Sequence, residues 1–132
     1  MKNNKLQIVN YNQAQRLKAA GFDWDTVSHF YTELHSDIVE INPFTIQKYQ
    51  HHEIFFAPSV ALALKWMRDV KGLFGYVIFN RETFSKGYWW YYFSFSDKTI
   101  SKGCEISFIK STYEAAESAL LDELLTILEK EV

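Results

Sequence analysis

The chain has 132 residues, 14 Lys/Arg against 16 Asp/Glu for a formal charge of −2, and is 48% hydrophobic and 23% charged. That balance is close to an average globular domain and excludes a disordered chain, a collagen-like repeat and a coiled-coil rod. Its length suits one domain, 1–132, read as an N-terminal segment 1–57 followed by a unit 58–132, and its near-neutral charge exerts no general pull toward nucleic acid or an anionic membrane. Eleven Phe, eight Tyr and four Trp are more rings than a core of this size needs. Cys104 is the single cysteine, so no intrachain disulfide forms. The apolar run Leu6–Val9 is too short for the core of a signal peptide, and no stretch has the length of a membrane span. The expectation is a cytoplasmic, reduced protein with no membrane attachment.

In chain order, Gln13 to Ala20 predicts a first helix with Asn12 as its N-cap and Gly21 as its stop. Its apolar residues Ala14, Leu17 and Ala20 recur every three positions, and at two turns it needs Phe22 and Trp24 to hold it by packing. His29–Leu34 and Ile38–Ile41 read as a small hairpin around Ser36-Asp37. Asn42-Pro43 ends the second run, since the residue before proline is pushed away from helical geometry. His52 to Phe56 reads as a further short strand. A second helix is predicted from Pro58, at home in a first turn, to a Gly72 cap. Val60, Ala63, Leu64, Met67 and Val70 make its apolar face, widened by Leu62 and Trp66, with Lys65, Arg68, Asp69 and Lys71 on the solvent side. Three strands follow: Phe74–Asn80, Tyr88–Ser96 and about Thr99–Ile109, with Gly103 marking a bulge. In the third, Ile106 and Phe108 point one way, Glu105 and Ser107 the other. The last helix opens on Ser111 to Glu114, spaced as a capping box, and runs to residue 130 on an apolar face of Ala116, Ala119, Leu120, Leu124, Ile127 and Leu128.

These elements predict an α+β fold. A short helix and hairpin precede α-β-β-β-α, with two helices packed on one face of an antiparallel sheet. The order from Pro58 to Glu131 resembles the double-stranded-RNA-binding domain, down to the alanine-rich Glu114-Ala115-Ala116-Glu117-Ser118-Ala119. That resemblance implies a lysine cluster opening the last helix and a Gly-Pro-x-His hairpin loop. This chain has Ser111, Thr112, Tyr113 and Glu114 in the first place and Arg81 to Gly87, without proline or histidine, in the second. The topology carries over and the RNA-binding residues do not. Three further segments, Gln13–Asp23, Ala57–Trp66 and Thr112–Ala119, are similar to small uncharacterised proteins encoded by phages and prophages of gut bacteria. That resemblance implies a mobile-element protein and supplies no site.

Alternation along Tyr88–Ser96 divides Trp89, Tyr91, Phe93 and Phe95 from Tyr88, Trp90 and Tyr92. The first set is expected to face the helices. The second is the candidate binding platform, unless residues 1–57, with Phe22, Trp24, Phe30, Tyr31, Phe44, Phe55 and Phe56 to house, fold over it. A nucleic-acid alternative rests on Arg81, Lys86, Lys98, Lys102 and Lys110 around the strands. His51 and His52 would face opposite sides of a strand, with Glu53 on the side of His51, and no zinc-ligand spacing occurs. No nucleophile elbow, phosphate loop, dinucleotide fingerprint or metalloprotease motif is present, and Cys104 reads as a small core residue. The acidic face of the last helix is a second candidate surface: from Thr112 onward there are six acids and one base. The expectation is therefore a non-catalytic interaction domain, with no cofactor, no metal and no catalytic residue. Its partner is a protein, and a homodimer is compatible with the same surplus of rings.

Overall fold

The structure, a computed structural model, describes residues 6–24, 29–34, 37–42, 46–49, 51–80, 87–96, 99–110 and 112–130. For 34, 37, 78–80, 87–96 and 99–110 it describes the backbone alone. The fold is α+β, in two compact units, Met1–Ser59 and Val60–Val132.

In the first unit, helix α1 spans Tyr11–Ala20. It starts two residues earlier than its periodicity suggests because Asn10, not Asn12, is the cap. The Gln13 N–H donates to Asn10 Oδ1 at 2.8 Å, and the Asn10 N–H donates to Gln13 Oε1 at 3.0 Å. This reciprocal box satisfies two of the donors that open a helix leaves over. Gly21, at φ 99, takes the left-handed turn that a β-carbon disfavours and ends the helix. The chain is thereby turned back, so that the Phe22 N–H reaches the Leu17 carbonyl at 2.9 Å.

Strands β1 (Phe30–Leu34), β2 (Asp37–Ile41) and β3 (Phe55–Phe56) form an antiparallel sheet in the order β2-β1-β3. The hairpin pairs Phe30 with Ile41 and Thr32 with Val39. The strand expected from His52 shrinks to two residues: His51 and His52 lie in a turn and bend that follow a single 3₁₀ turn at Ile46–Tyr49. An isolated bridge between Ile8 and Ser59, with the Val9 N–H on the Pro58 carbonyl at 3.0 Å, ties the two ends of the unit together.

The surplus rings of this segment pack on one another. Tyr11 meets Tyr31 and Phe55 edge-on at 6.0 and 5.6 Å, and Phe56 meets Phe22 and Phe30 at 6.4 and 5.7 Å. Trp24 lies 6.3 Å from Phe22, while Phe44 lies outside the described residues. Val9, Ala14, Leu17, Phe22, Phe30, Ile41, Phe55 and Ala57 are buried. Thr32 is buried with them, its hydroxyl donating to the Glu53 carbonyl at 2.9 Å. Thr32→Val keeps the shape and removes that donor, so it should lower stability by about 1 kcal/mol. A urea titration measures this, and an unchanged midpoint would show that water serves the Glu53 carbonyl instead.

The second unit runs α2 (Val60–Lys71), β4 (Leu73–Asn80), β5 (Gly87–Ser96), β6 (Thr99–Lys110) and α3 (Tyr113–Lys130). The three strands are antiparallel in the order β4-β5-β6. Helix α3 packs across all three strands, and α2 packs on β4 and on α3, so both helices occupy one face of the sheet. Helix α2 begins two residues after Pro58 rather than on it. It buries Val60, Ala63, Trp66 and Met67; Val70, expected inside, lies in the last turn and is exposed. Gly72, at φ 70, follows the helix directly.

In the described part of the start of α3, Thr112 supplies the cap, accepting from the Ala115 N–H at 3.1 Å; Ser111 lies outside the described residues. The buried face of α3 is Ala116, Leu120, Leu121, Leu124 and Leu125, turned from the expected stripe so that Ala119, Ile127 and Leu128 become its flank. Gly103, expected at a bulge, pairs regularly with Tyr92. The irregularity falls between the pairs Trp90–Glu105 and Tyr88–Lys110, on the stretch of β6 read as strictly alternating. Among the described residues no helix is long and apolar enough to cross a membrane.

Candidate functional site at the edge of the second sheet

Two helix stripes and one strand edge build a cleft of about 390 Å³ in the second unit. Helix α2 contributes Ala61, Leu64, Lys65 and Arg68; α3 contributes Tyr113, Glu117 and Leu120, spaced i, i+4 and i+7 along one side. Between them lie Gly75, Tyr76 and Val77 of β4. Successive strand residues face opposite sides, so three in a row can line one cleft only where it opens on the backbone edge. β4 is indeed an outer strand, with β5 its only ladder partner among the described strands.

The close approach of α3 depends on Gly75. A β-carbon there would lie 2.6 Å from Leu120 Cδ1. On the opposite side of the strand Tyr76 is 46% exposed, and Tyr113 at the rim is 45% exposed. Leu64, Val77 and Leu120 supply the apolar part of the lining.

The charges are held in place. Asp69 bonds Lys65 one turn before it and lies 3.4 Å from Arg68 Nε, so the carboxylate draws the two cations together on one wall. The hydrogen bond from Lys65 keeps the Asp69 carboxyl below its ordinary range, helped by the charges of both cations. Across the cleft, the Tyr113 hydroxyl donates to Glu117 Oε2 at 3.1 Å. Burial pushes the Glu117 carboxyl upward, the Tyr113 bond opposes that, and the neighbouring Glu114 charge adds to it. Burial, then the Glu117 charge, also raises the Tyr113 phenol. The cleft is thus bipolar, with guanidinium and ammonium facing a carboxylate over an apolar floor.

Comparison with known proteins finds no matching family model, no matching curated protein and no matching solved structure.

The residues singled out from the sequence lie elsewhere. Tyr88, Trp90 and Tyr92 are ladder positions on the central strand β5, opposite Phe79, Val77 and Gly75. Cross-strand partners share a sheet face, and at Gly75 that face is the one against Leu120. Positions 88, 90 and 92 thus share a sheet face with Phe79, Val77 and Gly75. Arg81, Lys86 and Lys98 lie outside the described residues; Lys102 and Lys110 pair with Phe93 and Tyr88 on β6, at the other edge of the sheet from β4.

Glu53, expected on the side of His51, forms an ion pair with Lys18 at 3.1 Å. His29 Nε2 approaches Glu40 Oε1 at 3.9 Å beside Ile41 and Asn42. Among the described residues no group of three or more His, Cys, Asp or Glu is arranged to hold a metal ion. Of the cleft residues, Lys65, Arg68 and Glu117 read in sequence as solvent-facing, and Tyr113 as part of the turn that opens the last helix. The one local signal of the site was a glycine inside a strand, which marks a place where something approaches the backbone closely.

Proposed function

We propose that this chain is a non-catalytic protein-interaction module, encoded by a phage or another mobile element and working in the cytoplasm, that takes its protein partner on the β4 edge. The observation that carries this reading is the cleft, where an outer strand, two half-exposed tyrosines and a cation wall meet over an apolar floor. Tyrosine and arginine dominate the energetics of protein interfaces because they offer large area together with hydrogen bonds. An outer strand adds main-chain pairing, so an extended partner segment gains affinity from the backbone and specificity from the flanking pockets. The likeness of Gln13–Asp23, Ala57–Trp66 and Thr112–Ala119 to phage and prophage proteins supports the mobile-element origin, and a lone cysteine suits a reducing compartment.

The test is affinity capture from bacterial lysate with the wild-type chain, followed by titration of the captured partner against Tyr76→Ala and Arg68→Ala. Each variant should weaken binding about 10-fold, the equivalent of roughly 1.4 kcal/mol for one anchor. Full affinity in the folded double variant would remove the cleft from the interface. Nuclease-sensitive capture with a steep salt dependence would transfer the function to nucleic acid and the lysines and arginine around the strands.

A further inference from the structure

The first unit holds a second site, unrelated to the β4 cleft. The left-handed turn at Gly21 brings Phe22 back beneath α1, and β3 passes on the other side. Between them lies a pocket of about 100 Å³, lined by Ala14, Lys18, Phe22, Ile54 and Phe56. Ala14 and Lys18 stand one turn apart on α1, and the small alanine leaves the room that the pocket occupies. Every lining residue but Lys18 is apolar.

Lys18 is pinned where the pocket meets solvent. Its ammonium donates to Glu53 Oε1 at 3.1 Å and to the Ile54 carbonyl at 3.3 Å, and lies 4.8 Å from the centre of the Phe55 ring. The Glu53 side chain is 66% exposed and that of Lys18 45%. A carboxylate is therefore already seated on a fixed cation at the edge of an apolar hole, and it is held there only by a surface ion pair. Such a pair contributes about 0–1 kcal/mol, so exchanging its carboxylate for another costs little. An apolar cavity of about 150 Å³ is known to take a benzene ring; this pocket, at about 100 Å³ and open to solvent, seats a branched alkyl group or most of one ring with its edge at the opening.

We propose that this pocket binds a small carboxylate with a compact apolar body, an aryl or branched-alkyl acid. Its body sits between Ala14, Phe22, Ile54 and Phe56, and its carboxylate takes the place of Glu53 on Lys18. The exposed head of Glu53 acts as an internal competitor for the same ammonium, which gives two substitutions opposite effects. Glu53→Gln should tighten binding about 3-fold by removing the competitor, and Lys18→Met should weaken it at least about 10-fold by removing the charge-assisted bond.

The experiment titrates the isotope-labelled full chain with benzoate and follows the backbone amides of Lys18, Phe22 and Ile54 by NMR. Saturable shifts in the millimolar range are expected, with none from benzylamine, which has the same body and the opposite charge. N-acetylphenylalanine, in a parallel titration, carries the same chemistry as the end of a peptide chain. Shifts with that acid and not with benzoate would make a chain terminus the natural source; shifts with benzoate would make it a free acid. Absence of saturable shifts with both, equal response to benzylamine, or a Glu53→Gln variant that binds more weakly than wild type would overturn the proposal. Both substitutions are at exposed side chains, and the dispersion of the same spectra reports whether each variant is folded.

Discussion

Trp66→Ala should cost about 3–5 kcal/mol, among the largest losses expected from a single substitution at the described residues of the second unit. Trp66 is 1% exposed at the middle of α2, where Val60, Ala63 and Met67 are buried on the same helix face. Truncation there removes a bicyclic ring from a helix that has only twelve residues and therefore little intrinsic stability of its own. A unit of this length holds on the order of 4–11 kcal/mol in total, at about 0.05–0.15 kcal/mol per residue. The loss is thus comparable with the whole, and the variant should populate an unfolded second unit under native conditions. Trp66→Phe keeps most of the apolar volume and should recover more than half of the loss. Urea titration by far-UV circular dichroism, with hydrogen exchange of the α2 and β4 amides, measures both. A cost below about 1 kcal/mol for Trp66→Ala would mean that α2 is held chiefly by Ala63 and Met67 against the rest of the unit.

How much of this was legible in the sequence depends on the range of the signal. The stops at Gly21 and Gly72, the antiparallel pairing of the two runs before Asn42 and the three strands before α3 are local features, and they stand where local rules put them, although Asp37, expected in the turn, already belongs to β2. Starts were harder to read. Asn10 and Asn12 are both good caps, each with a glutamine three residues on, Gln13 and Gln15, so spacing does not choose between them; the box that closes is that of Asn10 with the buried Gln13. Pro58 suits a first turn, yet it precedes the helix because its carbonyl is engaged by the Val9 N–H from the start of the chain. The face of β5 was not legible at all. Alternation divides Trp89 from Trp90 but has no absolute sign; the sign comes from pairing with β4, where Tyr92 falls opposite the glycine that α3 covers. The cleft suffers from the same blindness. Lys65 and Arg68 on one helix and Glu117 on another are ordinary wet-face residues, and with Tyr113 they become a site only when β4 brings the two helices together.

Gly75 is where that arrangement is most exposed to test. Gly75→Ala adds one methyl group, which is small, but it adds it 2.6, 3.0 and 3.1 Å from three carbons of Leu120. Leu120 is fully buried at 0% exposure, so its side chain cannot swing into solvent to make room. The strain should cost about 1–3 kcal/mol, as overpacking of a filled core does. Leu120→Ala alone should cost about 2–5 kcal/mol through lost burial and the cavity left behind. In the double variant the new methyl occupies part of that cavity and meets no leucine. Its cost should therefore fall below the sum of the two by about 1 kcal/mol or more, within the range of couplings seen for residues in contact. A double-mutant cycle from urea titrations measures this directly. Strict additivity would mean that α3 is not seated on Gly75, and with it would go the close approach that places Tyr113 and Glu117 opposite Lys65 and Arg68. A favourable coupling would instead tie the geometry of the partner cleft to one residue that lacks a side chain.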